Sequence, residues 1–199
     1  MVSLLLAAEV FAAAYLLGSI PFGLLLTRIA GLGDIRKVGS GSIGATNVLR
    51  TGNKSLAALT MLLDLGKGSL AVLLAEHFVP DLVLIAAAGA ILGHVFTVWL
   101  RFQGGKGVAT AAGILLALSW PVGVGAIVTW LVTVVATRIS SAGALLASLM
   151  APVYAWLATG DAGTTLFAAA ISLLVILRHH ANIRRLLAGE EPRIKLGKS

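Results

Sequence analysis

The amino-acid sequence predicts an all-α, polytopic membrane protein that forms a single domain over residues 1–199. Hydrophobic residues make up 58% of the chain and the mean hydropathy is +0.99, which is more apolar surface than a soluble domain of this size can bury. The apolar residues are grouped in runs that approach the length of about 20 residues needed to cross a bilayer. The sequence contains no cysteine, which excludes disulfides, thiolate metal ligands and a cysteine nucleophile.

Seven apolar runs are predicted to be membrane-spanning helices. The first run lacks the basic start and the clear cleavage site of a signal peptide, so we interpret it as a mature helix. The fourth run has 13 residues, or roughly 20 Å of helix against a hydrocarbon core of about 30 Å, and is expected to be short, tilted or partly buried. Pro121, which follows it, suits a turn or the first turn of a helix. The predicted spans are residues 4–26, 56–78, 82–100, 108–120, 122–137, 142–159 and 164–177.

The positions of lysine and arginine predict that the N-terminus lies outside and the C-terminus in the cytoplasm. Fourteen of the 15 basic residues fall in alternate connections between the predicted spans, and Lys67 is the exception. Cytoplasmic connections are enriched in these residues, so the basic side is assigned to the cytoplasm. A single long helix over residues 107–138 would place Arg138 on the other side, and two passes are therefore preferred. The net charge of +7 is interpreted as an orientation signal and as attraction for anionic ligands, with no nucleic-acid partner.

Residues 39–50, called here the 39–50 loop, are the first segment with recognisable chemistry. Glycines allow the backbone to turn and bring its N–H groups close to a ligand, and hydroxyl groups with an arginine beside such a turn are a set that binds phosphate. The segment does not match a nucleotide-binding P-loop, because no Gly-Lys-Ser/Thr closes it. An ordinary flexible loop is the alternative interpretation. The candidate binding residues are Gly39, Ser40, Gly41, Thr46, Asn47 and Arg50.

The second segment is the 101–107 loop, which runs into a helix predicted to begin at Val108. The N–H groups and the dipole at a helix N-terminus favour an anion, and Lys106 adds a full positive charge. Gly104 and Gly105 precede this lysine and are candidate binding residues with it. The alternative is that the basic residues of the loop only anchor the cytoplasmic side.

The third segment comprises residues 178–185, in which His179 and Asn182 share a face if the segment is helical. His179 is a candidate general base or phosphate ligand. The alternative is a basic tail that contacts lipid headgroups. His179 and His180 are adjacent and do not share a helical face, and no third ligand is near them in sequence, so no metal site is predicted.

Ionisable residues also occur within the predicted spans. Asp64 and Lys67 are three residues apart, which indicates either a functional pair or an internal salt bridge that neutralises itself. His94 ends a run of small residues and is interpreted as either a buried, hydrogen-bonded histidine or a functional one.

The three segments all fall on the predicted cytoplasmic side, which favours a phosphate-bearing ligand handled at the membrane surface. A small transporter or channel for an anion such as phosphate is the rival interpretation, because glycine-broken helices and a charged pair within a span fit it. No inverted repeat is visible, however, and the polar groups cluster at one interface. No histidine begins the His-x4-Asp pattern of acyl-CoA-dependent acyltransferases, and the scattered acidic residues do not favour a two-metal site.

The ordered motifs resemble those of the PlsY family, the membrane acyltransferases that use acyl phosphate to acylate glycerol 3-phosphate. The resemblance covers essentially the whole chain and agrees with seven spans and an outside N-terminus. It rests on the 39–50 loop, on Asp64-Leu65-Gly66-Lys67-Gly68, on residues 93–110, and on Arg178-His179 and Asn182-Ile183 followed by Gly189-Glu190-Glu191.

The resemblance implies that the sn-1 hydroxyl of glycerol 3-phosphate attacks the carbonyl of a fatty acyl phosphate, which releases phosphate and lysophosphatidic acid. A phosphate oxygen of a substrate is expected to take the hydroxyl proton, while His179 orients or binds phosphate. The resemblance further implies a bacterial cytoplasmic membrane protein surrounded by lipid, with no cofactor, metal or protein partner. It assigns catalysis to Ser40, Arg50, Lys106 and His179. It assigns substrate binding to Thr46, Asn47, Asn182 and four glycines of the two loops, Gly39, Gly41, Gly104 and Gly105.

Three positions depart from the family pattern: Ser42 stands where asparagine is usual, Thr97 where proline is usual, and Gln103 where lysine is usual. Ser42 keeps a group that can form hydrogen bonds, and Thr97 removes a backbone restriction. Gln103 removes one charge but leaves Lys106, the lysine on which the family is most strict. We therefore expect activity to be retained.

Overall fold

The prediction of an all-α fold is confirmed in a computed structural model, which describes residues 3–194 and contains no strand among them. Two compact units divide between Ala117 and Leu118. The basic positions 195 and 198 lie outside the described residues. The α-helices of the described part are α1 (Leu4–Ser19), α2 (Phe22–Ile29), α3 (Ala45–Leu49), α4 (Lys54–Phe78), α5 (Val83–Val95), α6 (Val108–Leu118), α7 (Trp120–Thr137), α8 (Ser140–Thr159), α9 (Ala162–Arg178) and α10 (His180–Leu187).

Within residues 3–194, five helical stretches are long and apolar enough to cross a membrane. A sixth is obtained if α9 and α10, which meet at a bend of 63°, are counted as one span. Helix α6 has only 11 residues, as its short apolar run predicts, and Pro121 lies in the first turn of α7. The five stretches are Leu4–Ile29, Lys54–Phe78, Pro80–Leu100, Trp120–Thr137 and Ser140–Thr159.

The first stretch is broken between α1 and α2, where the sequence predicts one continuous helix. Pro21 has no N–H and disfavours helical geometry in the residue before it, and Ile20 accordingly adopts an extended conformation. The break leaves the carbonyls of Ser19 and Ile20 without their usual helical donors. Thr97 Oγ1 donates to the Ser19 carbonyl, and Lys67 Nζ donates to the Ile20 carbonyl at 2.8 Å.

Helices α1 and α5 cross at close range because glycines line the contact. Gly89 and Gly93 are four residues apart on α5, and a Cβ on either would meet the α1 carbonyl of Phe11 or of Tyr15. Gly18 on α1 is equally close to the backbone of Ala90. Small residues at this spacing allow helix backbones to approach in an apolar environment, where packing drives association.

The remaining contacts of the first unit hold α4 at its centre, since α4 packs against α1, α2, α3 and α5. Gly68 of α4 lies against the Thr110 carbonyl of α6, and Gly113 of α6 lies against the Leu65 carbonyl. A small apolar cluster supports the 39–50 loop, with Val38, Leu49, Leu56 and Leu100 packed around it. Its buried members are Leu24, Ile35, Ile43, Val48 and Ala57.

In the second unit, α7 packs against α8 and α8 against α9, in the order of the chain. A hydrogen bond of 2.7 Å between the hydroxyl groups of Thr129 and Tyr154 links α7 to α8. The Asp161 carboxylate accepts a hydrogen bond of 2.6 Å from Thr164 N and caps α9.

Substitution of Gly89 by alanine is expected to lower the free energy of unfolding by about 1–3 kcal/mol, because the new methyl group forces α1 and α5 apart. Gly66→Ala on α4 is the matched control, since a Cβ at Gly66 meets no atom within 4 Å. Alanine is favoured over glycine in helices by roughly 1 kcal/mol, so the control is expected to be neutral or stabilising. Thermal unfolding of both variants in one detergent is the measurement, and equal unfolding temperatures would contradict the close crossing.

Candidate functional site

The 39–50 loop is organised around the side chain of Asn47, which is only 2% exposed. Its Nδ2 group donates to the carbonyls of Ile35 and Val38, at 3.0 Å each, and of Ser42, at 2.7 Å. Its Oδ1 accepts a hydrogen bond of 3.1 Å from Ser40 N. One amide therefore connects the 3₁₀ turn Ile35–Lys37, the start of the loop and its middle. These contacts give Asn47 a structural role that the motif alone does not reveal.

Gly39 is required at its position for two separate reasons. Its φ of +55° lies in the left-handed region, which other residues rarely adopt. A Cβ there would also lie 2.5 Å from Asn47 Oδ1 and 2.8 Å from Arg50 Cδ, so the Arg50 side chain lies directly beside Gly39. Ser40, Thr46 and Arg50 are exposed. The loop thus presents two hydroxyl groups and a guanidinium on a backbone fixed by Asn47.

In the 101–107 loop, the two glycines before Lys106 fold onto the C-terminal end of α5. Gly104 N donates to the Val95 carbonyl at 3.1 Å, and Gly105 N donates to the His94 carbonyl at 3.0 Å. These two N–H groups satisfy carbonyls at the end of α5, so their hydrogen bonds are made within the protein. Lys106 is half-buried, and α6 begins at Val108 as predicted. Lys106 and the N-terminal amides of α6 are the groups of this segment suited to an anion.

The structure explains two of the departures from the family pattern. Thr97 has a φ of −64°, the value that proline imposes, so threonine keeps the backbone conformation while its buried hydroxyl donates to the Ser19 carbonyl. Gln103 is exposed in the turn that follows Phe102, whose φ is +64°. A change of side chain at Gln103 therefore does not disturb packing.

His179 lies at the bend between α9 and α10, and it is buried. Its Nδ1 lies 2.7 Å from the Val175 carbonyl. A carbonyl only accepts hydrogen bonds, so this contact favours the tautomer in which Nδ1 carries the proton. The sequence signals of this segment do not predict the bend, because neither proline nor glycine is present in it.

Asn182, on α10, donates through Nδ2 to Glu191 Oε1. The same carboxylate accepts hydrogen bonds from Ser141 Oγ at 2.8 Å and Arg185 Nε at 2.6 Å. Burial opposes ionisation of Glu191, but the donors Asn182, Ser141 and Arg185 outweigh it and hold the pKa of this carboxyl below its ordinary value. Glu191 therefore connects the tail to α8 and α10 as a carboxylate. Sequence reasoning assigned it no contact.

Asp64 and Lys67 form the ion pair that their spacing predicts, with Lys67 Nζ 2.7 Å from Asp64 Oδ1. His94 is a third member, since its Nδ1 lies 3.6 Å from the same oxygen. Sequence reasoning treated His94 separately, because nothing in the order of residues indicates that α4 and α5 bring these groups together.

The predicted site residues thus occupy three places. The 39–50 loop brings six of them together, the 101–107 loop holds three beside the end of α5, and the second unit holds His179 and Asn182 at the α9–α10 bend. Among residues 3–194, no group of three or more histidine, cysteine, aspartate and glutamate side chains is placed to hold a metal ion.

Comparison with known proteins identifies relatives over nearly the full chain. The family model described as glycerol-3-phosphate acyltransferase matches residues 8–189. The glycerol-3-phosphate acyltransferase of Mesorhizobium japonicum is 56% identical over 180 residues, which cover 90% of this chain and 92% of the relative. The protein of the same name from Maricaulis maris is 55% identical over 195 residues, covering 98% and 90%.

Two solved structures are similar to this chain. The crystal structure of PlsY, an integral membrane glycerol 3-phosphate acyltransferase, in its glycerol 3-phosphate form matches with a TM-score of 0.89 and 37% identity, over 95% of this chain and 96% of that chain. The lysophosphatidic acid form of PlsY matches with a TM-score of 0.87 and 35% identity, over 95% of each chain.

Asn47→Ala is expected to loosen the 39–50 loop, because it removes one donor group shared by three carbonyls and the acceptor of Ser40 N. Loss of a buried hydrogen-bonded group destabilises by about 1–3 kcal/mol. Hydrogen exchange at Ser40 N, measured by mass spectrometry, is expected to accelerate. Ser42→Ala is the control, since it keeps the backbone carbonyl that accepts from Asn47. Unchanged exchange in Asn47→Ala would exclude the organising role.

Proposed function

The chain belongs to the glycerol-3-phosphate acyltransferase family of PlsY, and we propose that it transfers a fatty acyl group from acyl phosphate to the sn-1 hydroxyl of glycerol 3-phosphate. The products are lysophosphatidic acid and inorganic phosphate. The observation that carries the proposal is the match over 95% of this chain to a structure solved in a glycerol 3-phosphate form. The two cationic loops support it, since both substrates carry phosphate.

In the proposed reaction, the hydroxyl oxygen of glycerol 3-phosphate attacks the acyl carbonyl carbon, and the bond from that carbon to the phosphate oxygen breaks. The leaving phosphate takes the electron pair of that bond. Arg50 and Lys106 supply fixed positive charge for the two phosphates and for the charge that develops on the leaving group. Ser40 and Thr46 offer hydroxyl groups beside Arg50. Acyl phosphate is already activated, so positioning supplies much of the rate.

His179 and Asn182 complete the proposed set of site residues. His179 orients or binds phosphate in this proposal, and the contact of Nδ1 with the Val175 carbonyl at 2.7 Å fixes the orientation of its ring. The hydroxyl proton passes to a phosphate oxygen of a substrate, and no side chain acts as a strong base. Asn182 hydrogen-bonds the glycerol portion from a position that Glu191 fixes. In this proposal residues 1–199 form a single acyltransferase domain, as the sequence predicts.

The glycines and Asn47 contribute to binding by shaping the two loops. Gly39 and Gly41 turn the 39–50 loop, with positive φ values of 55° and 70°. Gly104 and Gly105 bring Lys106 close to the end of α5. These glycines place cations and hydroxyl groups in front of phosphate without adding side chains that would obstruct it.

The chain is an integral membrane protein by family, and we propose seven spans, with the N-terminus outside and the catalytic segments on the cytoplasmic side of a bacterial inner membrane. Helix α6 would then be the short span. Glycerol 3-phosphate reaches such a site from water, and lysophosphatidic acid leaves it into the bilayer. The basic connections support this orientation.

Purified protein in detergent or a lipid mesophase is expected to release phosphate only when palmitoyl phosphate and glycerol 3-phosphate are supplied together. Arg50→Ala and Lys106→Ala are each expected to reduce turnover by at least about 10²-fold, the cost of removing one group that stabilises developing charge. Gln103→Lys is the matched control, because it changes charge in the same loop at an exposed position.

The absence of phosphate release from folded protein would overturn the acyltransferase proposal. Uptake of phosphate into proteoliposomes would favour the anion transporter instead. Turnover that survives both alanine substitutions would remove Arg50 and Lys106 from the chemistry.

His179→Gln is expected to weaken the affinity for a phosphate-bearing substrate together with turnover, because glutamine keeps hydrogen bonding but changes its geometry. Steady-state kinetics with each substrate varied in turn is the measurement. An inactive variant with unchanged affinities for both substrates would argue instead for His179 as a true base.

A reporter fused to the C-terminus is expected to be accessible only from the cytoplasmic side, as an odd number of spans and the basic connections require. Accessibility to an impermeant reagent in intact cells and in inverted vesicles measures this. A reporter labelled only in intact cells would reverse the proposed orientation.

A further inference from the structure

The first unit contains a buried group of charged and ionisable side chains to which the proposed mechanism gives no role. Asp64 and Lys67 are each 3% exposed and His94 is 4% exposed. An ionisable residue within a membrane-spanning helix is costly and by default indicates function. The ion pair removes part of that cost, but it does not explain why an imidazole lies against the same carboxylate oxygen.

Lys67 fixes the carboxylate from one side. Its Nζ contacts Asp64 Oδ1 at 2.7 Å and donates to the Ile20 carbonyl at 2.8 Å, and it lies 5.6 Å from the centre of the Phe22 ring. Contacts with α4, with the α1–α2 break and with an aromatic face leave Lys67 little freedom to move. Asp64 is therefore held in place where it meets His94 Nδ1.

The other edge of the His94 ring faces the 101–107 loop. A Cβ placed on Gly105 would meet Nε2, Cε1 and Cδ2 of His94, so the imidazole occupies the space beside that glycine. Gly105 N also donates to the His94 carbonyl. Gly105 is thus fixed by both the backbone and the ring of His94, and the next residue in the chain is Lys106.

We propose that His94 is a positioning residue for Lys106, with Nδ1 of its ring 3.6 Å from the Asp64 carboxylate and the other edge of the ring against Gly105. This inference rests on the proposed role of Lys106 in binding phosphate. The backbone at Gly105 sets where the Lys106 side chain begins, so a shift of the ring changes the distance between the ammonium group and phosphate. Misplacement of a catalytic group by about 1 Å can cost roughly 10²-fold in rate.

The first test compares His94→Asn with Lys106→Arg in steady-state kinetics, with palmitoyl phosphate and glycerol 3-phosphate varied in turn. Lys106→Arg is expected to raise KM for the substrate whose phosphate Lys106 holds. His94→Asn is expected to raise KM for that same substrate and to leave the other KM unchanged. A merely structural role would reduce the amount of active enzyme, which lowers the maximal rate without changing either KM.

The second test uses the contact between ring and glycine. Gly105→Ala is expected to reduce kcat/KM by about 10²-fold, because its methyl group displaces the ring or the loop. His94→Ala makes room for that methyl group, so the double variant is expected to match His94→Ala alone within about threefold. Such non-additivity is the signature of two residues in direct contact.

Gly104→Ala is the matched control. Its methyl group would meet the backbone carbonyls of His94 and Val95, which remain when the ring is removed. Neither Gly104 nor Gly105 has a positive φ, so the two substitutions differ in what they contact. Gly104→Ala combined with His94→Ala is expected to show the product of the two losses.

Three results would overturn the proposal, provided that the unmodified protein turns over. The first is that His94→Asn leaves both KM values unchanged. The second is that Gly105→Ala combined with His94→Ala loses kcat/KM by the product of the two single losses. The third is that His94→Ala relieves the loss of kcat/KM in Gly104→Ala as much as it does in Gly105→Ala. If the unmodified protein itself shows no turnover, the proposed function fails instead. Unfolding temperatures of all variants identify any that fail to fold. If His94→Asn fails to fold, the smaller change His94→Gln takes its place in the first test, and if His94→Ala fails to fold, His94→Ser, which also leaves room for the methyl group, takes its place in the second.

Discussion

Two backbone carbonyls at the break between α1 and α2 set a constraint on which much of the first unit depends. Carbonyls within an apolar span must find donors inside the protein, because an unsatisfied polar group there costs several kcal/mol. Thr97 donates to the Ser19 carbonyl, and Lys67 Nζ donates together with Phe22 N to the Ile20 carbonyl. A lysine in that place needs a counter-charge, which Asp64 provides, and the His94 ring lies 3.6 Å from the same carboxylate oxygen. A proline in the first helix is connected in this way to the loop that carries Lys106.

Both units use an asparagine to hold a segment of the proposed site in shape. Asn47 donates to three carbonyls around the 39–50 loop, and Asn182 donates to the Glu191 carboxylate. An amide is neutral and can donate and accept at once, so it can connect several backbone groups without placing a buried charge. The residues that carry charge, such as Arg50, stand beside these supports. Rigid supports of this kind hold a side chain close to the geometry that a reaction needs.

The sequence predicts the helical class and the approximate spans because apolar composition and run length are local properties. It also predicts the Asp64–Lys67 pair, whose spacing of three residues is a helical signal. The contact of His94 with both Asp64 and Gly105 is not predictable in this way, since it joins α4, α5 and a loop. The α9–α10 bend has no proline or glycine as a signal. Pro21 does signal the break between α1 and α2, but the apolar residues on both sides of it form one run that predicts a continuous helix.

Backbone conformation and available space also explain why the structure accommodates Thr97 and Gln103, two of the positions that depart from the family pattern. Thr97 keeps the φ that proline would impose, and Gln103 is exposed, so neither change disturbs a contact between backbones. A larger residue at Gly105 would not be accommodated in the same way, because the His94 imidazole fills the space beside this glycine. When the acyl donor is already activated, catalysis depends on where fixed charges lie more than on a tuned base. Tolerance to substitution should therefore follow the space and the backbone conformation around the cationic loops, and not the distance of a residue from Lys106 along the chain.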